Sequence, residues 1–165
     1  MAFKSLRKAR NAFLLKRCEL FSMQGLPLQS IITDSPGKGL VVIPEEYAYK
    51  GVYDYTPYTN NEFRSVIKWV VNALYAAEQM GMNKDNAVDF AYKRTPENLS
   101  LFGDDNILWH LLNVKPNWLR LAVADLGNMG EIFERNLGSQ SDYKLKRGQA
   151  ALIKDGGTVA VEPFK

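Results

Sequence analysis

Leu126-Gly127-Asn128-Met129-Gly130-Glu131-Ile132-Phe133-Glu134-Arg135-Asn136-Leu137-Gly138 is the least generic run in the chain. Two glycines three apart in a helical pattern let a neighbouring backbone approach closely. Each costs about 1 kcal/mol relative to Ala, so a packing or functional reason is expected. The spacing predicts one helix that opens near Pro116, runs through Trp118, Leu119 and Val123 into this stretch, and ends at Asn136-Leu137-Gly138. On it, Glu131, Glu134 and Arg135 fall near one another on successive turns, while Ile132 and Phe133 face elsewhere.

Downstream, a polar loop leads to a last helix predicted over residues 147–154, capped by Gly156-Gly157, and to a terminal strand or tail over 158–161. Upstream, Thr59 and Glu62 have the form of a capping box. Phe63, Val66, Ile67, Val70, Val71 and Leu74 then mark an apolar helix face that stops at Gly81. Residues 84–93 read as helical, Thr95-Pro96 as the start of a short helix ending at Gly103, and Ile107, Leu108, Leu111 and Leu112 as another short amphipathic segment. At the N-terminus, Phe3, Leu6, Ala9, Phe13 and Leu14 lie at helical spacing over residues 2–16. Residues 18–23 read as extended, Gly25-Leu26-Pro27 as a break, and residues 28–32 as a short helix or strand. Leu40-Val41-Val42-Ile43, stopped by Pro44, suits a buried strand. Residues 46–58 hold Tyr47, Tyr49, Tyr53, Tyr55 and Tyr58 among turn formers, an extended crossover with an aromatic surface.

Composition narrows the function classes. The net charge of +3 conceals an asymmetry, because Lys4, Arg7, Lys8, Arg10, Lys16 and Arg17 put six positive charges and no acid into the first 18 residues. The rest of the chain is therefore net acidic and shows no basic stripe, which argues against nucleic-acid binding. A basic amphipathic start suits an acidic partner or an anionic membrane surface. Cys18 is the only cysteine, so no internal disulfide and no cysteine-based zinc site can form. No apolar run reaches the roughly 18 residues of a membrane span, and no export signal is visible. His110 is the only histidine and sits in an apolar helical context. Gly37-Lys38-Gly39 lacks phosphate-loop spacing, and the pairs Glu45/Glu46 and Asp104/Asp105 are sequence neighbours rather than groups placed across a cleft. The expectation is a non-enzyme with no cofactor and no metal.

The opening run resembles the C-terminal signature of the general L-amino-acid substrate-binding proteins of bacterial ABC importers. Six further segments agree in order and spacing: Lys16-Arg17-Cys18-Glu19, Val41-Val42-Ile43-Pro44-Glu45, residues 69–81, residues 96–103, Asn117-Trp118, and Arg147-Gly148-Gln149-Ala150-Ala151-Leu152 with Gly156-Gly157. The resemblance implies an α/β fold tending to mostly α: a partial type II periplasmic-binding-protein fold with few strands and about six helices. Residues 1–45 would be the remnant of the second lobe, 46–58 the crossover and 59–165 a C-terminal helical region. The family's earlier half, which carries most contacts to the ligand carboxylate, has no counterpart here, and Cys18 would have lost a disulfide partner with it.

The ligand-facing segment departs from the family pattern. After the Arg-Cys-acid-x-aromatic run, relatives place hydroxyl residues and then an aspartate that pairs with the ligand α-ammonium, and the matching positions here are Ser22, Met23 and Gln24. Gln24 offers dipoles, not a charge, which would forfeit about 1 kcal/mol or more in a desolvated pocket. Two readings follow. The one put first is a non-catalytic structural or docking subunit that meets another protein chain through Lys4, Arg7, Lys8, Tyr47, Tyr49, Tyr53 and Tyr55. The alternative is an amino-acid-binding component of an ABC importer, with Ser22 and Gln24 facing an L-amino acid.

Overall fold

The computed structural model describes residues 3–43, 61–90 and 108–163, and the chain divides into two compact units, Met1–Tyr47 and Ala48–Lys165. The described residues are mostly helical and contain no strand, only an isolated parallel bridge between Leu152 and Val159. None of these helices is long and apolar enough to cross a membrane.

The first unit holds α1 (Leu6–Leu14) and α2 (Gly25–Thr33), joined by an irregular segment over residues 18–24. Ser5 caps α1 by accepting from the Lys8 amide at 3.3 Å. At the other end the Arg17 amide returns to the Ala12 carbonyl and the Lys16 amide to Phe13. This closure needs a left-handed residue, and Lys16 supplies it at φ 57°, a conformation that costs a side-chain-bearing residue about 1 kcal/mol where glycine is free of the penalty. Gly25-Leu26-Pro27 ends the irregular segment as expected, and does so by forming the first turn of α2, where a proline's missing N–H is harmless. Residues 40–43 do not form the buried strand expected of them. Val41 is 85% exposed and Ile43 is also exposed, because a strand's backbone groups need a neighbouring strand and none lies beside them among the described residues.

The second unit is built on α3 (Asn61–Met80), which ends at Gly81 with φ 78° as its sequence predicts. The proposed cap residue Thr59 lies outside the described residues. Buried positions on α3 are Ala73, Leu74, Ala76 and Ala77, so the contact face is the alanine-rich last half, not the larger residues from Phe63 onward. Small side chains let α6 (Trp118–Leu126) and α7 (Met129–Asn136) pack closely against it, and α4 (Ala87–Phe90) packs on α6. Met82, Ala87, Phe90, Leu119 and Val123 complete the core. The short α5 (Leu108–Leu111) ends in the same type of closure as α1, with Asn113 at φ 53° and the Val114 amide on the Trp109 carbonyl.

The opening stretch is not one helix. Gly127, at φ 84° and ψ 174°, ends α6, and Asn128 then starts α7 as its N-cap. Asn128 Oδ1 accepts from the Glu131 amide at 3.0 Å, and Glu131 Oε2 accepts from the Asn128 amide at 2.9 Å, a reciprocal capping box. Both side chains also reach across to the turn that follows α3. Asn128 Nδ2 donates to the Met82 carbonyl at 2.7 Å, and the Glu131 carboxylate accepts from the Lys84 amide at 3.1 Å. Glu131, Glu134 and Arg135 therefore do not form one cluster. Glu134 binds Ser139 through both its amide and its hydroxyl, and Arg135 donates to the Leu126 carbonyl.

The helix expected over residues 147–154 is instead two 3-10 turns, Gly148–Ala150 and Ile153–Asp155. Between them Ala151 and Leu152 are extended and buried, and the Val159 amide donates to the Ala151 carbonyl. A Cβ at Gly157 would sit 2.0 Å from that carbonyl oxygen, so this glycine is a packing requirement. The tail then follows α3, where Asn72 exchanges two hydrogen bonds with the Glu162 backbone.

The shared use of Asn128 sets an expected outcome. Asn128→Ala removes a cap and leaves the Met82 carbonyl without its partner, a loss of about 2–3 kcal/mol in urea denaturation. Asn128→Ser keeps the cap acceptor alone and falls between the two.

Candidate functional site

The positions that the family resemblance assigns to ligand contact lie on the irregular segment between α1 and α2. Phe13 stacks on Phe21 with ring centroids 5.6 Å apart, which fixes the segment against α1 just before Ser22. Ser22 and Gln24 are exposed, and neither side chain makes a hydrogen bond among the described residues. The Gln24 backbone carbonyl instead accepts from Leu28 as α2 begins. Both polar side chains are therefore uncommitted. Met23 turns the other way, into a groove between the two helices.

Of the residues expected to dock a partner, Lys4, Arg7 and Lys8 are exposed, with no carboxylate within ion-pair distance among the described residues. Tyr47, Tyr49, Tyr53 and Tyr55 lie outside the described residues. So do Tyr58, the acidic pairs Glu45/Glu46 and Asp104/Asp105, and the short helix expected at Thr95-Pro96. His110 is exposed and stacks on the Trp109 ring.

Sequence reasoning missed the one ion pair that is mostly buried among the described residues. Arg147 meets Glu78 with both guanidinium nitrogens, Nη2 to Oε2 at 2.9 Å and Nη1 to Oε1, and the two side chains are only 13% and 14% exposed. Tyr75 and Phe133 flank the guanidinium at 5.6 and 5.8 Å. Burial works against the Arg147 charge, but the Glu78 carboxylate outweighs it and holds the guanidinium above its ordinary range. Lys154 adds its ammonium to the Glu78 and Gln79 carbonyls at the end of α3. Arg147 and Lys154 both spend their charge on acceptors at the end of α3, which makes this a fastening between α3 and the C-terminal turns. The nearby Glu134 carboxyl is held below its ordinary range by the Ser139 hydroxyl and then the Ser139 amide, another closed contact.

The ion pair also explains Gly130. A Cβ there would lie 3.0 Å from Glu78 Oε1 and 3.1 Å from its carboxyl carbon, and Glu78 cannot yield while Arg147 grips it. Gly130→Ala is therefore expected to cost about 1–2 kcal/mol in the native chain despite alanine's better helix propensity. In a Glu78→Ala/Arg147→Met background, where no buried charge is left alone, the same change is expected to stabilise by up to about 1 kcal/mol. A double-mutant cycle by chemical denaturation reads this reversal of sign.

With this geometry in view, the chain can be set beside known proteins. No family model matches it. YhdW of Escherichia coli (strain K12), by its name a candidate amino-acid ABC transporter-binding protein, is 32% identical over 126 residues, 76% of this chain and 37% of that protein. The glutamate/glutamine/aspartate/asparagine-binding protein BztA of Rhodobacter capsulatus is 25% identical over 96% of this chain and 47% of its own length. The general L-amino acid-binding periplasmic protein AapJ of Rhizobium johnstonii is 24% identical over 100% of this chain and 49% of its own. A solved ABC transporter periplasmic binding protein from Brucella ovis, with glutathione bound, matches all of this chain and 52% of that one at a TM-score of 0.80 and 24% identity, a likeness of fold. The chain spans about half or less of the length of these relatives. It is a divergent homologue of the amino-acid ABC transporter-binding proteins, with a periplasmic-binding-protein fold over the part that it spans.

Proposed function

We propose that the chain is a non-catalytic amino-acid-recognising part of an ABC importer's binding protein, with Ser22 and Gln24 on the ligand-facing segment. This moves the weight away from the structural-subunit reading, because the relatives are named for binding amino acids. The observation that carries it is the state of residues 18–24, where two polar side chains at the matching positions are exposed and spend no hydrogen bond elsewhere among the described residues. A recognition segment needs such free groups.

The chemistry at Gln24 predicts how the site behaves. A neutral amide accepts from an α-ammonium without supplying charge, so the chain should bind amino acids more weakly than a version with a carboxylate there. Calorimetric titration of the purified chain with L-glutamate, L-glutamine, L-aspartate and L-asparagine is expected to give saturable binding tighter than about 100 μM, near −5.5 kcal/mol. Gln24→Asp is expected to tighten it by about five- to ten-fold, the worth of about 1 kcal/mol or more. No heat at millimolar amino acid would contradict the proposal.

One observation favours the other reading, a docking subunit within a larger assembly. In the first unit Leu6, Leu15, Leu20 and Val41 are all exposed, and among the described residues the buried apolar ones are Ala12 and Ile31. Stoichiometric co-elution with a large non-transporter complex from the source cells would support that reading over amino-acid recognition.

A further inference from the structure

A groove of about 240 Å³ lies within the first unit, and it is not the face that carries Ser22 and Gln24. Its floor and walls are Leu6 of α1, Met23, and Pro27, Ser30 and Ile31 of α2, with Ile31 buried and the Ser30 hydroxyl already donating to the Pro27 carbonyl. Arg7 and Arg10 complete the lining, and no acidic residue takes part in it. Arg7 has no carboxylate within ion-pair distance among the described residues. Arg10 has one 3.4 Å contact with Asp34, which approaches from outside the lining and leaves most of the guanidinium donors available.

Two cations over an apolar floor select the occupant. An inorganic anion would satisfy the arginines and leave Leu6, Met23, Pro27 and Ile31 uncovered. A free amino acid would bring an ammonium to a lining with no carboxylate to receive it. A neutral hydrocarbon would leave both guanidiniums without an acceptor. We propose that this groove binds an alkyl carboxylate, its carboxylate on Arg7 and Arg10 and its chain along Leu6, Met23, Pro27 and Ile31. The groove shares only Met23 with the segment that carries Ser22 and Gln24, and its test reads an alkyl carboxylate rather than an amino acid, so it can fail without that assignment failing.

Decanoate, kept below its micelle concentration, is the probe, and nuclear magnetic resonance titration of the full chain is the measurement. Saturable shifts at Leu6, Met23 and Ile31 are expected, with decanoate binding at least about ten-fold tighter than decanol, the factor for a charge-assisted bond. Arg7→Gln with Arg10→Gln should remove that advantage while leaving circular dichroism unchanged, since both are surface residues of α1. Met23→Trp, which fills the groove, should abolish decanoate binding, with the spectrum checking that the unit remains folded. Equal affinity for decanoate and decanol, or acetate binding as tightly as decanoate, would overturn the proposal. So would decanoate binding that persists in a folded Met23→Trp chain. Binding of an acetyl-Leu-Glu-amide peptide without decanoate would also overturn it, by making the occupant a protein segment.

Discussion

The second unit depends on a pair of side chains that each do two things. Asn128 and Glu131 close the capping box that starts α7, and the same two groups take hold of the Met82 carbonyl and the Lys84 amide in the turn after α3. One junction thus fixes the end of α3, the end of α6 and the start of α7. Lys84 tightens it by donating through its ammonium to the Asp125 carbonyl in the last turn of α6. A helix end buried without such partners would leave several backbone donors unsatisfied, each at a cost of about 1–3 kcal/mol. Hydrogen bonding, more than apolar area, accounts for the particular residues at this corner.

From that corner the rest of the unit follows by close approach. Alanines on the last half of α3 bring the two later helices near, and Gly130 leaves room for the Glu78 carboxylate to lie over α7. Glu78 in turn receives Arg147, so the C-terminal 3-10 turns are tied to the same helix that the capping box holds. Replacing such a pair by matched apolar residues is often harmless, whereas removing one partner is costly, so its value here is in fixing position. Among its described residues, the first unit shows no equivalent. Both ends of α1 are closed, but the buried apolar residues among those described are few, and Ser22 and Gln24 are exposed on the segment to which we assign recognition.

Much of this was legible in the sequence, and the failures share a cause. Gly81 ended α3 as expected because helix length, apolar spacing and a terminal glycine all agreed. Gly127 was misread because two glycines three apart fit a closely packed helix as well as a helix end, and spacing alone does not separate the two. The informative signal was Asn128 followed three residues later by Glu131, which marks a helix start. Residues 40–43 have strand composition but no neighbour to pair with among the described residues, and propensity does not supply one. Glu78 and Arg147 are separated by 69 residues, and no local pattern joins them. The resemblance that began at residues 126–138 was sound as a marker of lineage, although those residues serve structure and the candidate ligand contacts are a hundred residues away.

Amide-resolved titration tests that separation of roles. On adding L-glutamate to isotopically labelled chain, the account predicts shifts concentrated at residues 18–25, with residues 126–138 unmoved. Shifts centred on Gly127, Gly130 and Glu131 instead would contradict it, because that run would then be the binding site and not the fastening.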